Sequence, residues 1–274
     1  MIGPSSQTID TAISTLREAG IGNAAFLVTL GSGQSNPWSD EIAVEIDYEQ
    51  VPGWPVPAVE GHGGKLSLVR MGEENVLVME GRHHYYEACS YDGVIAPLRI
   101  SRALGVEKVL LSNSVGSLSS ELCTGDIILI SDHVFFQGPE LEKLLQAEWP
   151  SGVRTFYWEE GRKIVMEKAE SAGIELDEGV LFCVQGPMYE TAAEAEMARR
   201  MGADVVAMSL APEAMAAAAM GCRVVGISLV TNAVGGSDLA GPDHDEVITA
   251  AATYRPLLDK LLKETVPALA AAPN

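Results

Sequence analysis

Leu104-Gly105-Val106-Glu107-Lys108-Val109 has two counterparts, Met201-Gly202-Ala203-Asp204-Val205-Val206 and Met220-Gly221-Cys222-Arg223-Val224-Val225. Each reads as a helix ended by a glycine able to take positive φ, followed at once by an apolar strand. Arg199 and Arg200 sit just before the second glycine, where their charge suits the negative end of a helix dipole. Helix, glycine and strand in series predict an α/β fold, a single domain with a mixed, largely parallel, twisted central sheet flanked by helices.

The strands expected from this pattern are Ala24–Leu30, Lys65–Arg70, Asn75–Glu80, Lys108–Ser112, Asp126–Ser131, Gly179–Val184, Asp204–Met208 and Arg223–Val230. Several are apolar on both faces, as strands covered on both sides must be. No linker divides the chain, so residues 1–274 are expected to form one domain; the Pro-rich run Val51–Pro57 is a short loop. The segment Phe135–Glu160, with Trp149, Tyr157 and Trp158, is expected to be a surface excursion suited to a lid or a subunit contact. The Ala-rich end, Leu269–Asn274, is expected to fray.

Composition narrows the partners. Of 274 residues 47% are hydrophobic, enough for an ample core. Eighteen Lys and Arg face 38 Asp and Glu, giving a formal net charge of -20. Such a field repels phosphates at long range, which argues against nucleic acid and anionic membrane as partners. Any anion site must then be a small, locally basic pocket. Cys89, Cys123, Cys183 and Cys222 are widely spaced and form no Cys-x-x-Cys pair, so buried thiols in a reducing cytoplasm are expected. Neither a basic-then-apolar leader nor an apolar run of membrane-spanning length stands out.

The chemistry concentrates at strand ends. Gly81-Arg82-His83-His84-Tyr85-Tyr86-Glu87 follows an apolar strand and is a poor way to build a core. If extended, it points Arg82, His84 and Tyr86 to one side and His83, Tyr85 and Glu87 to the other. The first set offers a guanidinium fork, an imidazole and an aromatic plate for an anion and a sugar. A polar turn rich in His and Tyr is the plainer alternative. Gly31-Ser32-Gly33 could bring backbone N–H groups close to an anion, though such a triplet is often only a turn. Gly61-His62-Gly63-Gly64-Lys65 is not a P-loop, because Val59 and Leu66 occupy required Gly and Ser/Thr positions. Thr191-Ala192-Ala193-Glu194 is a capping-box pattern, which leaves Glu190 at the end of a strand-to-helix loop, where α/β sheets bind ligands. A solvated carboxylate near the helix dipole is an equal reading of Glu190. Ser209 and Asn232 end successive strands, His244 opens a final helix, and His133 is read as structural.

In order along the chain, Gly31–Gly33, Gly61-His62, the 81–87 run, Gly125–His133, Gly186–Thr191, Met208-Ser209 and Ile227–Asn232 form a set. Together they resemble the trimeric class of purine nucleoside phosphorylases. The resemblance implies phosphorolysis of a 6-oxopurine nucleoside, with inorganic phosphate as co-substrate, no cofactor or metal, and a homotrimer. It places Ser32, His62, Arg82, His84 and Ser209 around phosphate, with the backbone N–H of Ser114. It gives the sugar to Tyr86, Met208 and His244, and the base to Tyr189, Glu190, Asn232 and the neighbourhood of Val115. Glu190, Asn232 and His84 are the catalytic candidates. Three stretches depart from the family: Asn113–Ser117, where Val115 is expected to reshape the pocket; the 135–160 excursion, where Phe156 is the candidate for an aromatic lent to a neighbouring subunit; and the turn after Asn232. The alternatives are a methylthioadenosine-type phosphorylase, which wants an acid at 232 and an apolar pocket in place of His244, and a non-catalytic purine- or phosphate-binding relative.

Overall fold

The computed structural model describes residues 5–59, 63–136, 140–141, 145, 156–234 and 244–273. Helix α1 (Ser6–Glu18) precedes strands β1 (Phe26–Leu30), β2 (Ile42–Asp47), β3 (Lys65–Met71) and β4 (Glu74–Glu80). Helices α2 (Tyr85–Ala88) and α3 (Tyr91–Ala103) lead to β5 (Lys108–Ser117) and β6 (Ile127–Phe135). Then come α4 (Glu159–Ala172), β7 (Asp177–Cys183), α5 (Ala192–Arg200) and β8 (Val205–Ala207). Helix α6 (Ala211–Ala219), β9 (Arg223–Ala233) and α7 (His244–Ala271) complete the order.

The three glycine junctions close α3, α5 and α6 in the same way. Gly105, Gly202 and Gly221 have φ of +101°, +85° and +78°. The next residue's N–H reaches back into the helix in each case: Val106 to Ser101 O at 3.1 Å, Ala203 to Ala198 O at 3.2 Å and Cys222 to Ala217 O at 2.9 Å. This paired-bond cap satisfies carbonyls that a helix end leaves open, and it delivers the chain straight into the sheet.

The sheet order is β2-β3-β4-β1-β5-β8-β7-β6-β9, and β5 also pairs with β9, so the second half curls round and closes on itself. Pairs β1–β4, β1–β5, β5–β9, β6–β7 and β7–β8 are parallel, and β2–β3, β3–β4, β5–β8 and β6–β9 antiparallel, which makes the sheet mixed. Alternation along β1 sends Phe26, Val28 and Leu30 into a core under α4 and α7, and Leu27 into a second core under α1, α3 and α6. β2 escapes the strand pattern of the sequence because it is an edge strand, half-exposed along most of its length.

Three expectations are corrected. Residues 269–273 are tied down rather than frayed: Lys108 Nζ donates to Ala270 O and Ala272 O, and Arg223 Nη1 to Pro273 O at 2.7 Å. Those bonds satisfy carbonyls at the end of α7 and give a buried ammonium its acceptors. The 135–160 segment is not wholly superficial, since Tyr157 is buried and its hydroxyl meets His133 Nδ1 at 3.0 Å. Cys89 and Cys123 are exposed, and only Cys183 and Cys222 are buried. Trp149 lies outside the described residues. Among the described residues, no helix is long and apolar enough to cross a membrane.

Candidate active site

The cleft opens at the carboxyl ends of the strands, where open α/β sheets bind ligands. β1 delivers Ser32 to it, β4 delivers Arg82, His84 and Tyr86, and the far half of β5 supplies Ser114 and Val115. The loop after β7 brings Tyr189 and Glu190, β8 leads into Met208 and Ser209, β9 holds Asn232, and α7 opens with His244. Every site residue expected from the sequence lines this cleft except His62, which lies outside the described residues.

On the side of the cleft nearest β4 the cationic group is held by the fold. Arg82 is only 2% exposed. Its Nε donates to Glu213 Oε1 at 2.9 Å and its Nη1 to Ser112 O at 2.7 Å, so two directions of the guanidinium plane are fixed. His84 is buried and stacks on Tyr86, ring centroids 5.0 Å apart and nearly parallel. Glu87 accepts from the His84 N–H at 2.6 Å and meets the same imidazole at 3.2 Å. Burial pushes the Glu87 carboxyl up, but bonds from the His84 ring and from the Ala58 and His84 N–H groups overcome it and hold it down at about 2. Burial lowers the neighbouring His83, with Glu87 opposing. Burial also pushes the Tyr86 hydroxyl up to about 12, so it is a neutral donor near pH 7.

This geometry alters one expectation. Extended backbone stops at His84, and Tyr85–Ala88 is a single helical turn. Arg82, His84 and Tyr86 do share the cleft. Glu87, expected to point away, instead returns beneath the His84 ring because three residues along a helical turn is a same-face spacing.

Ser209 is set by an unusual turn. Leu210 has φ +74° and ψ -53°, and the Ala211 N–H donates to Ser209 O at 3.0 Å. This is the strained form of the three-residue γ-turn, costly for a residue with a Cβ by about 1–3 kcal/mol. Glu213 Oε2 accepts the Leu210 N–H at 2.8 Å. Asn113 lies between two serines: its Oδ1 accepts from Ser228 Oγ at 2.7 Å, which turns its Nδ2 towards Ser209 Oγ at 3.5 Å. Neither Asn113 nor Glu213 was visible as a site residue in the sequence. Glu213 stands three residues after Leu210, whose apolar side chain hides the capping relation.

On the opposite side, at the loop after β7, the cleft is closer to solvent. Met188 is 82% exposed and Tyr189 37%. A Cβ on Gly186 would stand 2.5 Å from Met208 Sδ and 2.7 Å from Tyr86 Cδ1, so only glycine lets this loop close over them. Burial raises the Glu190 carboxyl above its ordinary range; its own backbone N–H opposes this and Glu194 adds to it. Asn232 is aimed by a bulge. β5 and β9 stay in register to Val115↔Val230, then shift so that Gly116 opposes Asn232, leaving Thr231 as the extra residue. The Thr231 hydroxyl lies 3.2 Å from Val115 O and 3.1 Å from Asn232 Oδ1, which orients the amide. Val115 lines the cleft yet is only 2% exposed, so most of its side chain packs into the core. Phe156 stacks on His133 of its own chain at 5.3 Å. Among the described residues, no group of three His, Cys, Asp or Glu could hold a metal ion.

A mixed α/β sheet thus brings a buried arginine and a raised carboxyl into one cleft at its strand ends, a place suited to an anionic ligand. The chain belongs to the phosphorylase superfamily, whose family model it matches over residues 26–267. Within that superfamily it is similar to purine nucleoside phosphorylases. It is 35% identical over 247 residues to purine nucleoside phosphorylase 1 of Geobacillus stearothermophilus, covering 88% of this chain and 89% of that one. The crystal structure of Schistosoma mansoni purine nucleoside phosphorylase with adenosine is 29% identical, with a TM-score of 0.86 and full coverage of both chains. The same enzyme with inosine gives 28% and 0.84 over 100% of this chain and 99% of the other.

Proposed function

We propose that this chain catalyses phosphorolysis of purine nucleosides, preferring 6-oxopurines such as inosine and guanosine, to free base and ribose or deoxyribose 1-phosphate. The observation that carries the reading is a single cleft that gathers Arg82, His84 and Ser209 together with Glu190 and Asn232. In this reading phosphate sits against Arg82, His84, Ser32, Ser209 and the Ser114 N–H, beneath the anomeric carbon of the sugar. Held there, it stabilises positive charge developing on the sugar and then forms the new C–O bond. Tyr86, Met208 and His244 hold the sugar.

As the C–N bond breaks, its electron pair moves into the purine. Asn232 donates through its amide to O6 or N7 and stabilises that charge. Glu190, as carboxylate, accepts the N1–H of a 6-oxopurine. A 6-aminopurine carries a lone pair at N1, and in a dry site the mismatch costs about 1–3 kcal/mol, roughly tenfold to more than a hundredfold. The same reading has a homotrimer acting in the cytoplasm without a cofactor, because phosphate itself is the nucleophile. The family resemblance supports the trimer, and sedimentation equilibrium tests it.

The direct test is hypoxanthine release from inosine with and without inorganic phosphate. Phosphate-dependent release is expected. Release that ignores phosphate sinks the proposal, and binding without turnover points instead to a relative that only binds.

A further inference from the structure

We infer that Glu213 is a positioning residue for anion recognition: it locks Arg82 and the Ser209 turn together, so that the anion cradle is assembled before phosphate arrives. This rests on the phosphorylase reading and adds a residue to it. Glu213 is 4% exposed in the first turn of α6 and is not among the residues that line the cleft. Its two oxygens are divided between two elements. Oε1 accepts from Arg82 Nε at 2.9 Å, 131 positions away in sequence, and Oε2 accepts the Leu210 N–H at 2.8 Å.

Both partners need holding. Arg82 follows β4 in a loop, and a long side chain with rotamer freedom binds an anion well only when its fork is oriented in advance. Leu210 occupies left-handed backbone at φ +74°, a conformation that persists only where neighbours enforce it. If this turn relaxed, Ser209 would lose its place beside Asn113 in the cleft. One buried carboxylate thus sets the distance between the guanidinium and the hydroxyl expected on the same phosphate. Its charge also offsets that of Arg82, which makes the sign of a substitution informative. Lost orientation weakens anion binding, whereas removing a negative charge alone tightens it.

The experiment compares wild type with Glu213→Gln and Glu213→Asp. Gln keeps the reach but presents N–H to one of two donors; Asp keeps the charge but is too short to span both. A positioning role predicts that each raises KM for phosphate at least tenfold, with KM for inosine within about twofold. A phosphate KM that is unchanged or lower in Glu213→Gln overturns the inference. So does a wild-type-like Glu213→Asp, because charge alone would then suffice. An equal rise in both KM values with a lowered melting temperature also overturns it, since that marks a structural role. Titration of inorganic phosphate by calorimetry separates this inference from the catalytic reading. If wild type binds phosphate without turnover, the phosphorylase reading falls while tenfold weaker binding by both folded variants still supports Glu213. Equal affinity overturns it.

Discussion

The two sides of the cleft are built on different plans. Arg82 is 2% exposed and is anchored by groups 30 and 131 positions away in sequence. Tyr189 and Glu190 sit on one loop between β7 and α5, with Met188 beside them 82% exposed. The contrast fits the roles proposed for the two sides. Bringing an anion out of water into a protein of net charge -20 requires a desolvated, oriented cation whose partners are in place beforehand. Reading the edge of a neutral base requires only a few hydrogen-bonding groups and a way in, and a loop near solvent supplies both.

The largest expected effect comes from breaking the anion side. Arg82→Ala should lower kcat/KM for phosphate by about a thousandfold or more. It should also cost about 3–5 kcal/mol of stability, because it strands the Glu213 carboxylate in the core. Steady-state kinetics and urea unfolding measure the two together. Loss of activity with unchanged stability would show that Glu213 is not held by this pair.

Glu190→Ala attacks the other side, where the same coupling should be missing. Activity on inosine should fall about a hundredfold to a thousandfold, with the melting temperature within about 2 °C of wild type. Unfolding on this substitution would assign Glu190 to the fold. In wild type the acidic limb of kcat/KM should lie above 4.5, because burial raises this carboxyl and its protonated form can no longer accept N1–H. Glu190→Gln should remove that limb.

Asn232→Asp sharpens the contrast within the base side. The ratio of inosine to adenosine turnover should swing by roughly tenfold to a hundredfold towards adenosine, about 1–3 kcal/mol. An unchanged ratio would take Asn232 out of base reading.

The smallest effect belongs to neither side. Burial holds the His133 imidazole down to about 4 from its ordinary 6.5, with Asp132 opposing. The unfolded chain therefore binds the proton first, so stability present above pH 6.5 is lost as pH falls towards 4. Between pH 7 and pH 5 the loss should be about 1–2 kcal/mol, read as a lower urea midpoint. His133→Phe should flatten that dependence while leaving phosphate and base recognition alone.

Much of the fold was legible because its signals are local. Gly105, Gly202 and Gly221 are each followed by an apolar strand, and the Thr191–Glu194 box completes itself within four residues. The site residues were legible one strand end at a time, and it took the family resemblance to join them. What stayed hidden depends on partners distant in sequence. Nothing near Glu213 announces an arginine 131 positions earlier, and Leu210 gives no sign of left-handed backbone. The C-terminal run read as loose because its partners, Lys108 and Arg223, begin strands far upstream.

Hydrophobic period and helix caps are properties of neighbouring residues, so residues 104–109 and their two counterparts already imply strands fed by capped helices. Which strands meet, and where the register slips, depends on contacts across the sheet. The bulge that leaves Thr231 without a register partner turns Asn232 towards the cleft, and the curl that closes β9 onto β5 sets it opposite Gly116. A one-residue slip reverses the face of every side chain beyond it. That choice is made by the packed sheet as a whole, which is why Asn232 could be named from the chain but aimed only by the fold.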